Sequence, residues 1–198
     1  MKIALDCDGV LYEFERTARY MERAYRGYAR EGPMGKESTR WDYIKEHVKP
    51  EDWNWLWSVA VKLGLWRYGH VVQGALKGIQ ELTKAGHELI VITARPTNAI
   101  PDTVAWLNFI QKPEAGVFFT GIHILSNGEP KSIIKADVLV DDKPENVWEW
   151  MEAGRIAILF DRPWNRTPLA TDAIVRARDW PDVVSIIEEL EGGKGNPT

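Results

Sequence analysis

Lys2-Ile3-Ala4-Leu5-Asp6-Cys7-Asp8-Gly9-Val10 runs from apolar residues into two acids and a glycine. A short apolar run closed by Asp-Gly predicts a buried strand over 2–6 that stops at a turn. Beyond that turn, Leu11, Phe14, Ala18, Met21, Tyr25 and Tyr28 recur at helical spacing, which predicts a helix over 11–30 ended by Gly32-Pro33. A second helical stretch follows Thr39. A third begins near Pro50-Glu51-Asp52, where proline suits the first helical position and the acids suit the first turn. Residues 75–85 read as a helix with Gly86 as its stop. Glu88-Leu89-Ile90-Val91-Ile92-Thr93 is a near-continuous apolar run, as a strand covered on both faces requires. Downstream, the pattern predicts a helix over 98–110, a strand over 122–125, a short helical piece near Ser132 and a strand over 137–141. A helix over 144–153, a strand over 156–160 and a helix over 181–190 follow, then a frayed tail.

Strands alternating with helices predict an α/β fold, a Rossmann-like parallel sheet flanked by helices. The spacing is uneven. Strands one and two are separated by roughly 80 residues, whereas each later crossover takes about 15–30, near the usual size of one unit. The excess predicts a small helical cap inserted after strand 1. The expected division is an α/β core of 1–10 and 74–198 and a cap of 11–73.

Composition narrows the function. The chain has 198 residues, 44 % of them apolar or aromatic and 27 % charged, as in an ordinary globular protein. Lys plus Arg number 25 and Asp plus Glu number 29, a net charge of −4. That balance opposes non-specific binding to duplex DNA, so no stable nucleic-acid complex is expected. Cys7 is the only cysteine, which excludes an intrachain disulfide and a multi-cysteine zinc site. His47, His70, His87 and His123 lack zinc spacing and read as structural or surface residues. No apolar run approaches the ~18 residues of a membrane span. The start is too short for a signal peptide, since an acid follows at Asp6. A cytoplasmic setting is expected, and a homodimer is left open.

In open parallel sheets, ligands bind beyond the carboxyl ends of the strands. Those ends carry Asp6 and Asp8, then Thr93-Ala94-Arg95, then Asp141 and Asp142, with Lys131 just ahead of the last strand. Carboxylates gathered this closely repel unless a cation joins them. An all-oxygen set with room for water suits Mg²⁺. Lys131 and the Thr93 hydroxyl suit an anion bridging to that metal, and phosphate meets both requirements. Asp6, on the rigid strand, is the better candidate for nucleophilic attack on phosphorus. Asp8 could protonate the leaving oxygen and then deprotonate water. Cys7, between two acids, reads as a neutral packed thiol.

These segments have a family likeness. Asp6-Cys7-Asp8-Gly9-Val10, Ile90-Val91-Ile92-Thr93, Lys131 and Leu139-Val140-Asp141-Asp142 resemble, in order, the four motifs of the haloacid dehalogenase superfamily. Within it the chain resembles the 5′(3′)-deoxyribonucleotidase group, through residues 6–14, 72–82, 93–96, 131–142 and 158–165. The resemblance implies Asp6 as the phosphorylated nucleophile and a Mg²⁺ ligand. It implies Asp8 as general acid/base with its carbonyl on the metal, and Thr93 and Lys131 as phosphate holders. Asp141 and Asp142 match the metal-binding pair, with the direct ligand left open. Phe14 matches a position that packs on the nucleobase, and Trp164 stands where the group would place tyrosine. Ala94 and Arg95 follow Thr93 at the same edge and join the phosphate-binding candidates.

Trp41, Trp53, Trp55, Trp57 and Trp66 fall in the expected cap. They either form the core of a small helical unit or stack on a base. Phe14 and Trp41 are the substrate-binding candidates. Arg16, Arg19, Arg23, Arg26 and Arg30 form a stripe, but Glu15 and Glu22 four residues ahead of Arg19 and Arg26 mark a solvated face. The expected activity is Mg²⁺-dependent hydrolysis of nucleoside monophosphates through an aspartyl-phosphate on Asp6. The alternatives are a phosphatase for another small phosphate ester or a polynucleotide 3′ end, and a non-catalytic nucleotide-binding module.

Overall fold

The computed structural model describes residues 1–26, 58–59, 61–111, 119–126, 128–166 and 174–193. The strands are β1 (Lys2–Leu5), β2 (Glu88–Thr93), β3 (Gly121–Ile124), β4 (Val138–Asp141), β5 (Ile156–Phe160) and β6 (Val175–Ala177). The helices are α1 (Phe14–Arg26), α2 (Ala75–Lys84), α3 (Ile100–Ile110), α4 (Pro144–Glu152) and α5 (Trp180–Gly192). The strands form one sheet in the order β3-β2-β1-β4-β5-β6. Every pairing is parallel. The α/β parallel architecture is therefore as the alternation requires. The chain's direction of travel across the sheet reverses at β1 and β4, and a crevice opens beyond their carboxyl ends at such a switch.

Period-two alternation divides the strands between two cores. Ile3, Leu5, Leu89, Val91, Val138, Val140, Ile158 and Phe160 face one side, where residues of α2, α3 and α5 cover them. Ala4, Ile90, Ile92, Leu139, Ala157 and Leu159 face the other, against Val147 and Trp150 of α4. A third, smaller cluster joins Ala18 and Met21 of α1 to Val61, Leu65, Trp66 and Ala99, with Phe14 packed on it.

Local chemistry sets the element ends. Asp179 precedes α5 and accepts a hydrogen bond from the Asp182 N–H at 3.0 Å, the usual helix N-terminal cap. Pro144 begins α4, where its missing N–H costs nothing. Gly86, beyond α2, takes φ 84°, the left-handed conformation that ends many helices.

Several expected boundaries shift. β1 ends at Leu5, although the Asp6 N–H still donates to the Val140 carbonyl at 2.9 Å. The helix expected over 98–110 begins as a 3₁₀ turn, Thr97–Ala99, before α3. β6 was not expected at all; at three residues it is too short to show a period. The helices expected after Thr39 and near Pro50 lie outside the described residues. So do Trp41, Trp53, Trp55, Trp57, His47, Arg30 and the end of the tail. Among the described residues, no helix is long and apolar enough to cross a membrane.

Candidate active site

β1 and β4 are neighbours, with Leu5 paired to Val140. The next residue of each, Asp6 and Asp141, therefore lies at the carboxyl edge beside the other. Asp6, Asp141 and Asp142 are buried, at 6 %, 0 % and 0 % exposure. One carboxylate oxygen from each lies within 4.8 Å of the others. Lys131, in a 3₁₀ turn (Lys131–Ile133), drives its ammonium between two of them. Nζ donates to Asp6 Oδ1 at 2.5 Å and to Asp141 Oδ2 at 2.6 Å.

The two neighbouring acids of β4 are held differently. Asp141 accepts from Lys131, from the Lys143 N–H at 2.9 Å and from Asn146 Nδ2 at 3.0 Å. Both of its oxygens are thus engaged. Asp142 accepts from Trp164 Nε1 at 2.9 Å through Oδ2. Its Oδ1 is buried without any hydrogen-bond partner. A buried unpaired carboxylate oxygen is costly, and a hard cation would relieve it. The oxygen-only donor set fits Mg²⁺. Asp6 and Asp142 could hold such an ion directly.

The electrostatics agree with that fit. Burial pushes the Asp6 carboxyl up to about 7; Lys131 opposes the rise, while Asp141 and Asp8 add to it. Asp142 is also raised well above the carboxylate range, by burial and then by Asp6 and Asp141. Burial works against the Lys131 ammonium, yet Asp141 and Asp6 outweigh it and raise its pKa. Without a cation, burial thus favours the neutral form of Asp6 and Asp142 over what either carboxyl would show in water.

Gly9 lets these parts meet. Its φ is 83°, and a Cβ there would sit 2.2 Å from Asp142 Oδ2. Both the backbone conformation and the close approach require glycine. The turn is anchored from outside. Arg162 Nε donates to the Gly9 carbonyl at 2.7 Å, and Trp180 Nε1 donates to the Val10 carbonyl at 3.0 Å. Asn165 Nδ2 bridges the carbonyls of Asp142 and Phe160, both at 2.8 Å.

The remaining expected residues separate into two groups. Thr93 ends β2, is 1 % exposed and lies at the same sheet edge, with Ala94 exposed beside it. Arg95 does not stand open toward that edge. It forms a two-pronged ion pair with Asp8, Nε to Oδ2 at 2.9 Å and Nη2 to Oδ1 at 2.8 Å. Phe14 stacks on Trp66, with ring centroids 4.9 Å apart and planes 14° from parallel. Trp41 lies outside the described residues. Cys7 is buried, and burial pushes its thiol well above the ordinary range, so it is neutral. Sequence reasoning missed Asn146, Arg162 and Asn165. Asn146 carried a signal, since it falls five residues after Asp141 at the start of a predicted helix. Arg162 and Asn165 fell within the 158–165 segment of the family resemblance, but nothing in the sequence assigned either a role.

A switch-point crevice with buried carboxylates around a lysine, on this sheet order, is an arrangement whose fold is shared with hydrolases of the haloacid dehalogenase superfamily. Solved structures carry the same fold. A haloacid dehalogenase-like hydrolase of Streptococcus pneumoniae matches with a TM-score of 0.64 at 14 % identity, over 94 % of this chain and 97 % of its own. The D,D-heptose 1,7-bisphosphate phosphatase of B. bronchiseptica, solved with magnesium and phosphate, matches with a TM-score of 0.55 at 14 % identity, over 96 % and 99 %. The family model "5′ nucleotidase, deoxy (Pyrimidine), cytosolic type C protein" matches residues 1–191. The chain belongs to that nucleotidase family and is a phosphoric-monoester hydrolase. A nucleotidase of Clostridium acetobutylicum is 25 % identical over 195 residues, 96 % of this chain and 95 % of the relative. A Chlorobaculum tepidum protein with the provisional name 5′(3′)-deoxyribonucleotidase is 26 % identical over 194 residues, 94 % and 89 %.

Proposed function

We propose that this protein removes phosphate from nucleoside monophosphates, deoxyribonucleotides above all, in a cytoplasmic, Mg²⁺-dependent reaction with Asp6 as nucleophile. The observation that carries the reading is the pairing of Asp6 with Lys131 beside the orphaned Asp142 oxygen. Family membership supports the substrate class.

Asp6 and Asp142, with the Asp8 backbone carbonyl, would hold the cation. When bound it offsets the negative charge on the phosphoryl oxygens. Asp141 acts through Lys131, holding that ammonium where the phosphate arrives, and Thr93 supplies a hydroxyl at the same edge. An Asp6 oxygen forms a bond to phosphorus as the bond from phosphorus to the nucleoside oxygen breaks. Asp8 gives a proton to the departing oxygen. Water then attacks phosphorus, its proton passes to Asp8, and the bond to Asp6 breaks to release inorganic phosphate. Residues 11–73 act as the cap over the site, and its aromatics, Phe14 and Trp41 among them, receive the base.

A phosphate-release assay across nucleoside 5′- and 3′-monophosphates with Mg²⁺ tests the reading. Turnover of nucleotides, lost in chelator and reduced at least about a thousandfold in Asp6→Asn, is the expected result. Preference for non-nucleotide esters would transfer the function to another small phosphate. Undiminished turnover by Asp6→Asn would overturn the mechanism.

A further inference from the structure

Arg95 follows Thr93 at the phosphate edge, yet its side chain serves another residue. Its side chain is 1 % exposed. The guanidinium packs against two neighbouring rings, 4.5 Å from the Tyr12 centroid and 4.4 Å from that of Trp66. Its fork grips both oxygens of Asp8, and Nη1 donates to Thr103 Oγ1 at 3.1 Å. Thr103 is itself fully buried in the first turns of α3. Two aromatic rings pack on the guanidinium, and each of its nitrogens has an acceptor. Reaching a phosphate would mean leaving two aromatic faces and a charge-assisted, two-pronged pair, among the strongest polar contacts available.

We propose that Arg95 is a positioning residue for Asp8 and not a phosphate ligand, an inference that rests on Asp8 being the proton donor to the leaving group. The planar fork accepts one orientation of the carboxylate. Each Asp8 oxygen retains a further acceptor position, and 18 % of the side chain stays open. The pair thus fixes the carboxylate plane and leaves its free side for the proton in flight. Tyr12 and Trp66 pack on the guanidinium, and Thr103 holds its remaining nitrogen. General acid catalysis depends on such geometry, because a donor outside hydrogen-bond reach of the leaving oxygen contributes nothing.

Leaving-group sensitivity separates this role from the alternatives. A poor leaving group needs the donor, whereas an activated one hardly does. Phenyl phosphate and p-nitrophenyl phosphate form such a pair and require no nucleotide specificity. Their kcat/KM values report events through departure of the leaving group. In Asp8→Asn the ratio for phenyl over p-nitrophenyl phosphate should fall, by roughly 10–100-fold. In Arg95→Lys it should fall in the same direction and by a comparable factor. Thr103→Val, which removes one anchor and keeps the ion pair, should lower it by roughly threefold. Inhibition by inorganic phosphate should be unchanged in both. Equal losses on both esters in Arg95→Lys and Thr103→Val, with a lowered Tm, would make Arg95 merely structural. A raised inhibition constant for phosphate in Arg95→Lys would make it a phosphate ligand. Either result overturns the inference. If Asp8→Asn itself leaves the ratio unchanged, the underlying assignment of Asp8 fails instead. Should Arg95→Lys not fold, Thr103→Val decides alone.

Discussion

At the residue scale, the proposed Mg²⁺ would have to compete with a proton for Asp6. Its carboxyl is raised to about 7, mainly by burial. In the metal-free protein the native state therefore holds a proton that the unfolded chain has released. Stability then falls as pH rises from about 4 to about 7. Binding of Mg²⁺ has the opposite slope, because the ion must displace that proton. Its affinity should rise with pH toward about 7, by about tenfold per unit for the Asp6 proton displaced. Calorimetry in two buffers of different ionisation enthalpy checks this. Asp6 should release about one proton per ion at pH 6 and fewer at pH 8.5, with Asp142 adding in the same direction. The acids themselves were legible in the chain, because Asp6, Asp8, Asp141 and Asp142 each fall at a strand end. The partner of each was not. Sequence placed Arg95 beside Thr93, and a linear order cannot say that its side chain turns toward Asp8 instead.

At the scale of elements, the last helix supports the first turn. Trp180 opens α5, is fully buried, and its indole N–H holds the Val10 carbonyl behind Gly9. The cap that starts this helix thus bears on the site. Asp179→Ala should cost about 1 kcal/mol and lower Tm by roughly 2–4 °C in a chain of this size. Thermal denaturation of the metal-free protein checks it, and an unchanged Tm would mean the cap hydrogen bond contributes nothing. Five of the six strands were legible because buried parallel strands leave continuous apolar runs such as Leu89-Ile90-Val91-Ile92. β6 was not, since Val175-Arg176-Ala177 carries one exposed valine and an arginine, the pattern of an edge. The start of α5 was placed one residue late because Trp180 reads as core and Pro181 as the helix opening.

For the molecule as a whole, the site lies where two halves of the sheet meet. β1 brings Asp6 and β4 brings Asp141 and Asp142. An ion held between them ties the two halves together only in the folded state. Mg²⁺ at a hundred times its dissociation constant should therefore stabilise the protein by about 2.7 kcal/mol, raising Tm by roughly 5–10 °C. The shift should be much reduced in Asp142→Asn. An equal shift in that variant would place the ion elsewhere. The sheet and its helices were readable from periodicity and spacing. Between α1 and Val61 the sequence offered helical stretches and an excess of tryptophan but no strand-end landmark to fix their places, and residues 27–57 lie outside the described residues.

Cys7 gives the protein an internal clock. Its sulfur is buried at the sheet edge, in the chain between Asp6 and Asp8, and the sequence has no other thiol. A thiol reagent can reach it only after β1 and its turn come away from their neighbours. The labelling rate under native conditions therefore times that opening without any engineered probe. Slower labelling with a bound ion or substrate would show how firmly each one keeps the crevice closed.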